Sequence, residues 1–72
     1  MAAVPNLTFQ SVVRTLETKP DRVAVTFKTE AAYYWVATEH TEIVRALESA
    51  RQSGARIEAT WNPITMQIVA VK

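Results

Sequence analysis

Residues 33–47, Tyr-Tyr-Trp-Val-Ala-Thr-Glu-His-Thr-Glu-Ile-Val-Arg-Ala-Leu, decide the fold. The first five are aromatic, β-branched or small, which favours a strand at Tyr33–Ala37. Successive strand residues face opposite ways, so Tyr33, Trp35 and Ala37 share one face and Tyr34 and Val36 the other. Then the period changes. Ile43, Leu47 and Ala50 fall at i, i+4 and i+7, with Val44 and Ala46 beside them, the stripe of an amphipathic helix. Thr38 or Thr41 would cap its start. Glu39 and Glu42 suit the positive end of the helix dipole, and Arg51 the negative end. Gly54, the only glycine, stands where a left-handed C-terminal cap is wanted. The spacing therefore predicts a helix from about residue 40 to about residue 53.

Upstream, residues 1–6 read as a flexible lead. Leu7–Thr18 reads as one long strand whose apolar phase slips near Ser11-Val12, the mark of a β-bulge or sharp bend. Lys19-Pro20-Asp21-Arg22 is a turn. Val23, Val25 and Phe27 alternate with Ala24, Thr26 and Lys28 in a second strand, and Thr29-Glu30-Ala31 connects it to the third. Downstream of Gly54, Ala55, Ile57, Ala59 and Trp61 alternate with polar residues in a fourth strand. Asn62-Pro63-Ile64-Thr65 is a turn signal. Met66, Ile68 and Ala70 form one face of a fifth strand, with Val69 and Val71 opposite.

The chain of 72 residues is one domain, 1–72, without internal repeat or low-complexity segment. The predicted order β-β-β-α-β-β is that of a mainly β, five-stranded OB-like barrel with one helix between strands 3 and 4. A long, bent first strand belongs to that fold because it pairs in both halves. An open antiparallel sheet with a helix on one face is the structural alternative.

Composition narrows the chemistry. There is no cysteine, so disulfides and thiolate metal sites are excluded, and one histidine, His40, excludes an imidazole cluster. No metal and no cofactor is expected. The net charge is +1, from eight Lys and Arg against seven Asp and Glu, interspersed rather than gathered in a basic stripe. The N-terminus lacks the basic and apolar regions of a signal peptide, and no stretch approaches a membrane span. The expected place is the cytoplasm, with secretion only if a leader has been removed.

Val25-Thr26-Phe27-Lys28 followed by Ala31, then a helix, then Thr60-Trp61-Asn62 before a closing apolar strand, resembles the pentameric B subunits of AB-type bacterial enterotoxins, the cholera family. The similarity covers roughly residues 23–71. It implies an OB-fold and a homo-oligomeric ring. In that family a Trp and polar residues at this turn line a receptor-sugar pocket, and Trp61 and Asn62 are the positions that carry over.

Catalysis has little to work with. His40 lies at the predicted helix start, where a polar residue is expected anyway, and Glu39 and Glu42 are what the dipole favours there. One glycine cannot build a phosphate-cradling loop. No enzyme is expected. Tyr33, Tyr34 and Trp35 could form a base-stacking platform with Lys28 and Arg22 as cations, yet adjacent strand residues cannot all share a surface. The expected function is a ring-forming, OB-like binding or assembly module. The alternative is a single-stranded nucleic-acid binder, which the charge balance disfavours. Expected ligand-binding residues are Trp61, Asn62, Tyr34 and Lys28, for a carbohydrate or other small ligand. Expected interface residues are Tyr34, Val36, Val69 and Val71, joining copies of the chain, with a pentamer favoured by the resemblance.

Overall fold

A computed structural model describes residues 5–72. Most of the expected lead, residues 1–4, lies outside the described residues, and Pro5 and Asn6 enter the first strand without regular structure. The elements are β1 (Leu7–Thr18), β2 (Arg22–Phe27), β3 (Tyr33–Ala37), α1 (Thr41–Ser53), β4 (Arg56–Trp61) and β5 (Ile68–Val71). The five strands form one antiparallel sheet in the order β3-β2-β1-β4-β5. The protein is thus mainly β, with its helix between strands 3 and 4.

β1 serves both halves. Its first half pairs with β4, from Leu7↔Trp61 to Val12↔Arg56, and its second half with β2, from Val13↔Phe27 to Thr18↔Val23. The register slips between Val13 and Thr15, so Arg14 is the extra residue of a bulge. The slip in apolar phase at Ser11-Val12 pointed to this bend, which falls two residues later. It lets one strand turn from one sheet half to the other. The two ends of the sheet meet where Trp35 and Gln67 form a parallel bridge and the Trp35 N–H donates to the Met66 carbonyl at 3.2 Å. Met66 takes the left-handed backbone with φ of 66°, uncommon for a residue with a side chain, and thereby re-aims the chain toward β3. The curled sheet encloses the core.

That core is the inward row of each strand: Val13, Val23, Val25, Phe27, Tyr34, Val36, Ile57, Ala59 and Ile68, closed by Leu47 and Ala50 of α1. Tyr34 and Val36 are 3% and 0% exposed. This corrects the expectation that they form an interface between copies: their face of β3 continues the inward row of β2, to which they pair through Val25 and Val23. Val71 is half-buried against the same core, while Val69 is exposed at 40%.

α1 ends at Gly54, φ 71°, whose N–H donates to the Ala50 carbonyl at 2.9 Å. Its start differs from expectation. The N-cap position is His40, with no side-chain hydrogen bond, and neither Thr38 nor Thr41 caps. No helix among the described residues is long and apolar enough to cross a membrane.

Candidate functional site

At one end of the core, four aromatic rings from four strands pack together. Phe9 meets Phe27 edge-on at 4.8 Å between ring centres, and Tyr34 meets Trp61 edge-on at 5.1 Å. Such pairs place the positive edge of one ring on the negative face of the next. Two of the expected ligand residues, Tyr34 and Trp61, are therefore brought together, but as neighbours in a packed cluster. Burial pushes the Tyr34 hydroxyl above its ordinary range, and the negative charge of Glu30 adds to this. The indole N–H of Trp61 is buried without a hydrogen-bond partner.

The other two expected ligand residues do not join them in a site. The Asn62 side-chain oxygen accepts from the N–H groups of Ile64, at 2.8 Å, and Thr65, at 3.3 Å, so it builds the turn between β4 and β5. Lys28 is exposed on the loop after β2, where its backbone N–H donates to the Val12 carbonyl. That loop is tied down by Ser11, a buried polar residue that accepts from the Thr29 hydroxyl at 2.7 Å. The phase slip marks Ser11 only as the place of a bend, because a serine in a strand carries no signal of a hydrogen-bonding role of its own.

Outside the barrel, Trp35 lies under the Arg22 guanidinium, 4.5 Å from ring centre to carbon, and its indole N–H donates to the Thr65 carbonyl at 2.8 Å. Its neighbour Tyr33 has no such cover and is 79% exposed. Tyr33 borders an open groove of about 690 Å³ with Leu16, Phe27 and Ala32 in its wall and Arg14, Glu17 and Glu30 at hand. An apolar wall, mixed charge and an exposed tyrosine on a strand suit a protein contact. His40 has only Glu39, Thr41, Glu42 and apolar groups for company in its groove, and no group of three or more His, Asp or Glu among the described residues could hold a metal.

No protein-family model and no curated protein matches the chain. Two solved structures do match. A crystal structure of pro-protein-glutaminase superposes on 93% of this chain with a TM-score of 0.83 and 17% identity. A mutant of pro-protein-glutaminase superposes on 94% with a TM-score of 0.81 and 14% identity. The fold is shared. In both cases the match takes up 25% of the other chain, so this protein spans a quarter of their length. The expectation that no enzyme is involved is overturned by this finding, because the same fold occurs within the precursor of an enzyme. The periodicity that predicted the barrel could not have shown this, since alternation and helical spacing report the backbone alone and the identity is only 14–17%.

Proposed function

We propose that this protein is the pro part of an enzyme precursor of the protein-glutaminase kind, a folded module that docks on a catalytic part and holds it in check. The observation that carries the reading is the superposition of nearly the whole chain on one quarter of pro-protein-glutaminase. A module of that length leaves most of the precursor for another part, and a pro form precedes the working enzyme. The exposed Tyr33 beside its groove supports the reading as an anchor: aromatic residues dominate the energetics of protein contacts, and Tyr33 is not needed by the core.

The test is direct. The purified protein is added to protein-glutaminase freed of its own pro part, and ammonia release from a glutamine-containing protein is followed. Inhibition that saturates, and that weakens about tenfold or more with Tyr33→Ala, is the expected result. No inhibition at any concentration overturns the reading. Ammonia release by the protein alone overturns it in favour of a catalytic role.

A further inference from the structure

We propose that the groove between the first turns of α1 and the free edge of β5 takes up an extended, basic peptide segment as an added strand. The groove, about 510 Å³, is lined by Ile43 and Ala46 of α1 and by Val69 and Val71 of β5, with Glu39 and Glu42 at its rim. It lies apart from the Tyr33 groove and stands whether or not the pro-part reading does. Three observations meet here. First, the strand edge is open. Glu58 and Lys72 exchange two backbone hydrogen bonds, of 3.0 and 2.8 Å. In an antiparallel ladder such pairs alternate with pairs that turn their N–H and C=O outward. Val71, opposite Ala59, is the next residue along, so its N–H and C=O point away from β4. Second, β3 does not cover that edge. The parallel contact stops at Trp35 and Gln67, and between Gln67 and Lys72 the edge carries no charge and no proline, two of the usual devices against strand addition; the register slip between Thr60 and Trp61 makes Val69 a bulge, so the regular open stretch is residues 70–72, centred on Val71. Third, the ionisable lining is Glu39, Glu42 and His40. At neutral pH that rim is negative, which selects lysine or arginine and rejects acidic segments.

The occupant is thus an extended segment whose backbone bonds to Val71, with apolar side chains against Ile43, Ala46 and Val69, and cationic ones at Glu39 and Glu42. The experiment uses labelled peptides of about six residues, a common strand length. One alternates lysine with valine and the other glutamate with valine. The lysine peptide should bind, more weakly as salt rises, and should shift the backbone amide signal of Val71 in nuclear magnetic resonance spectra. The Glu39→Lys/Glu42→Lys variant, altered only at exposed positions, should reverse the preference. Val71→Pro removes one outward N–H without touching the β4 ladder and should weaken binding about tenfold. If that variant unfolds by circular dichroism, the charge-reversal variant alone decides. Equal binding of both peptides, or an unchanged preference after charge reversal, overturns the proposal. So does a self-association of the parent that is abolished by Val71→Pro, which would make a second copy the occupant.

Discussion

The two tryptophans are opposites in their polar atoms. The Trp35 N–H has a carbonyl at 2.8 Å, and the Trp61 N–H is buried with nothing to receive it. A satisfied hydrogen bond contributes about 0.5–1.5 kcal/mol, while a buried unsatisfied donor costs about 1–3 kcal/mol. Trp35→Phe should therefore lose about 1 kcal/mol, seen as a fall of roughly 4–8 °C in melting temperature for a domain of this size. In Trp61→Phe the lost ring contacts are offset by removal of the orphan donor, so its melting point should fall less. The reverse order in thermal unfolding would show that the indole of Trp61 has a partner in solution. Tyr34 sets a pH dependence. Its hydroxyl ionises at higher pH in the folded than in the unfolded chain, whose value is near 10.0. Its contribution is then complete below that value and is lost as pH rises through the folded one. Denaturant midpoints should drop on the alkaline side in the parent, and less steeply in Tyr34→Phe. Equal slopes would mean that another group governs the alkaline loss.

Among the elements, α1 was the most legible. Its apolar stripe and Gly54 predicted both ends to within a residue or so, because a 3.6 period and a left-handed cap leave separate marks. Gly54→Ala should cost about 1 kcal/mol from the positive φ alone, since a Cβ there meets nothing within 4 Å. An unchanged melting point would argue against the left-handed cap. The capping residue was less legible because Thr38 and Thr41 stand on either side of His40, and local sequence does not say which residue turns out of the helix. His40 has no capping bond, so His40→Ser should stabilise the protein by about 0.5–2 kcal/mol. A loss of stability instead would show that the imidazole makes contacts worth more than a cap. β3 failed in another way. Alternation divides Tyr33 and Trp35 from Tyr34 and Val36, but not which pair turns inward when both are large. The answer lies in β2, where Val23, Val25 and Phe27 are unambiguous and pairing passes their orientation on to β3.

For the whole molecule, the element order was readable from periodicity, and the relation to an enzyme precursor was not. β3 and β5 carry apolar residues on both faces, a surplus over what one barrel interior takes up. In the structure much of that surplus is used within the chain: Tyr34, Val36 and Ile68 fill the core, and Trp35 is covered by Arg22 and the turn at Thr65. What stays outside is separate, namely Tyr33, Ile64, Leu7 and Val69. Because β1 belongs to both sheet halves, neither half can open alone without breaking it. Native-state hydrogen exchange should accordingly release the β1 amides of both halves together, with the free energy of global unfolding. Much faster exchange in one half would mean that the halves are separate cooperative units.

The pairing of Leu7 with Trp61 also has a meaning for how the protein is born. A ribosome delivers the front of β1 well before its partner in β4. The β1–β2–β3 meander can form early, but Phe9, which packs against Phe27, Tyr34 and finally Trp61, has no complete seat until the fourth strand emerges. Until β4 emerges the nascent chain therefore carries bare aromatic side chains and an unpaired half-strand. These are surfaces that a chaperone at the tunnel exit recognises, or that a neighbouring nascent chain on the same messenger could mistake for its own.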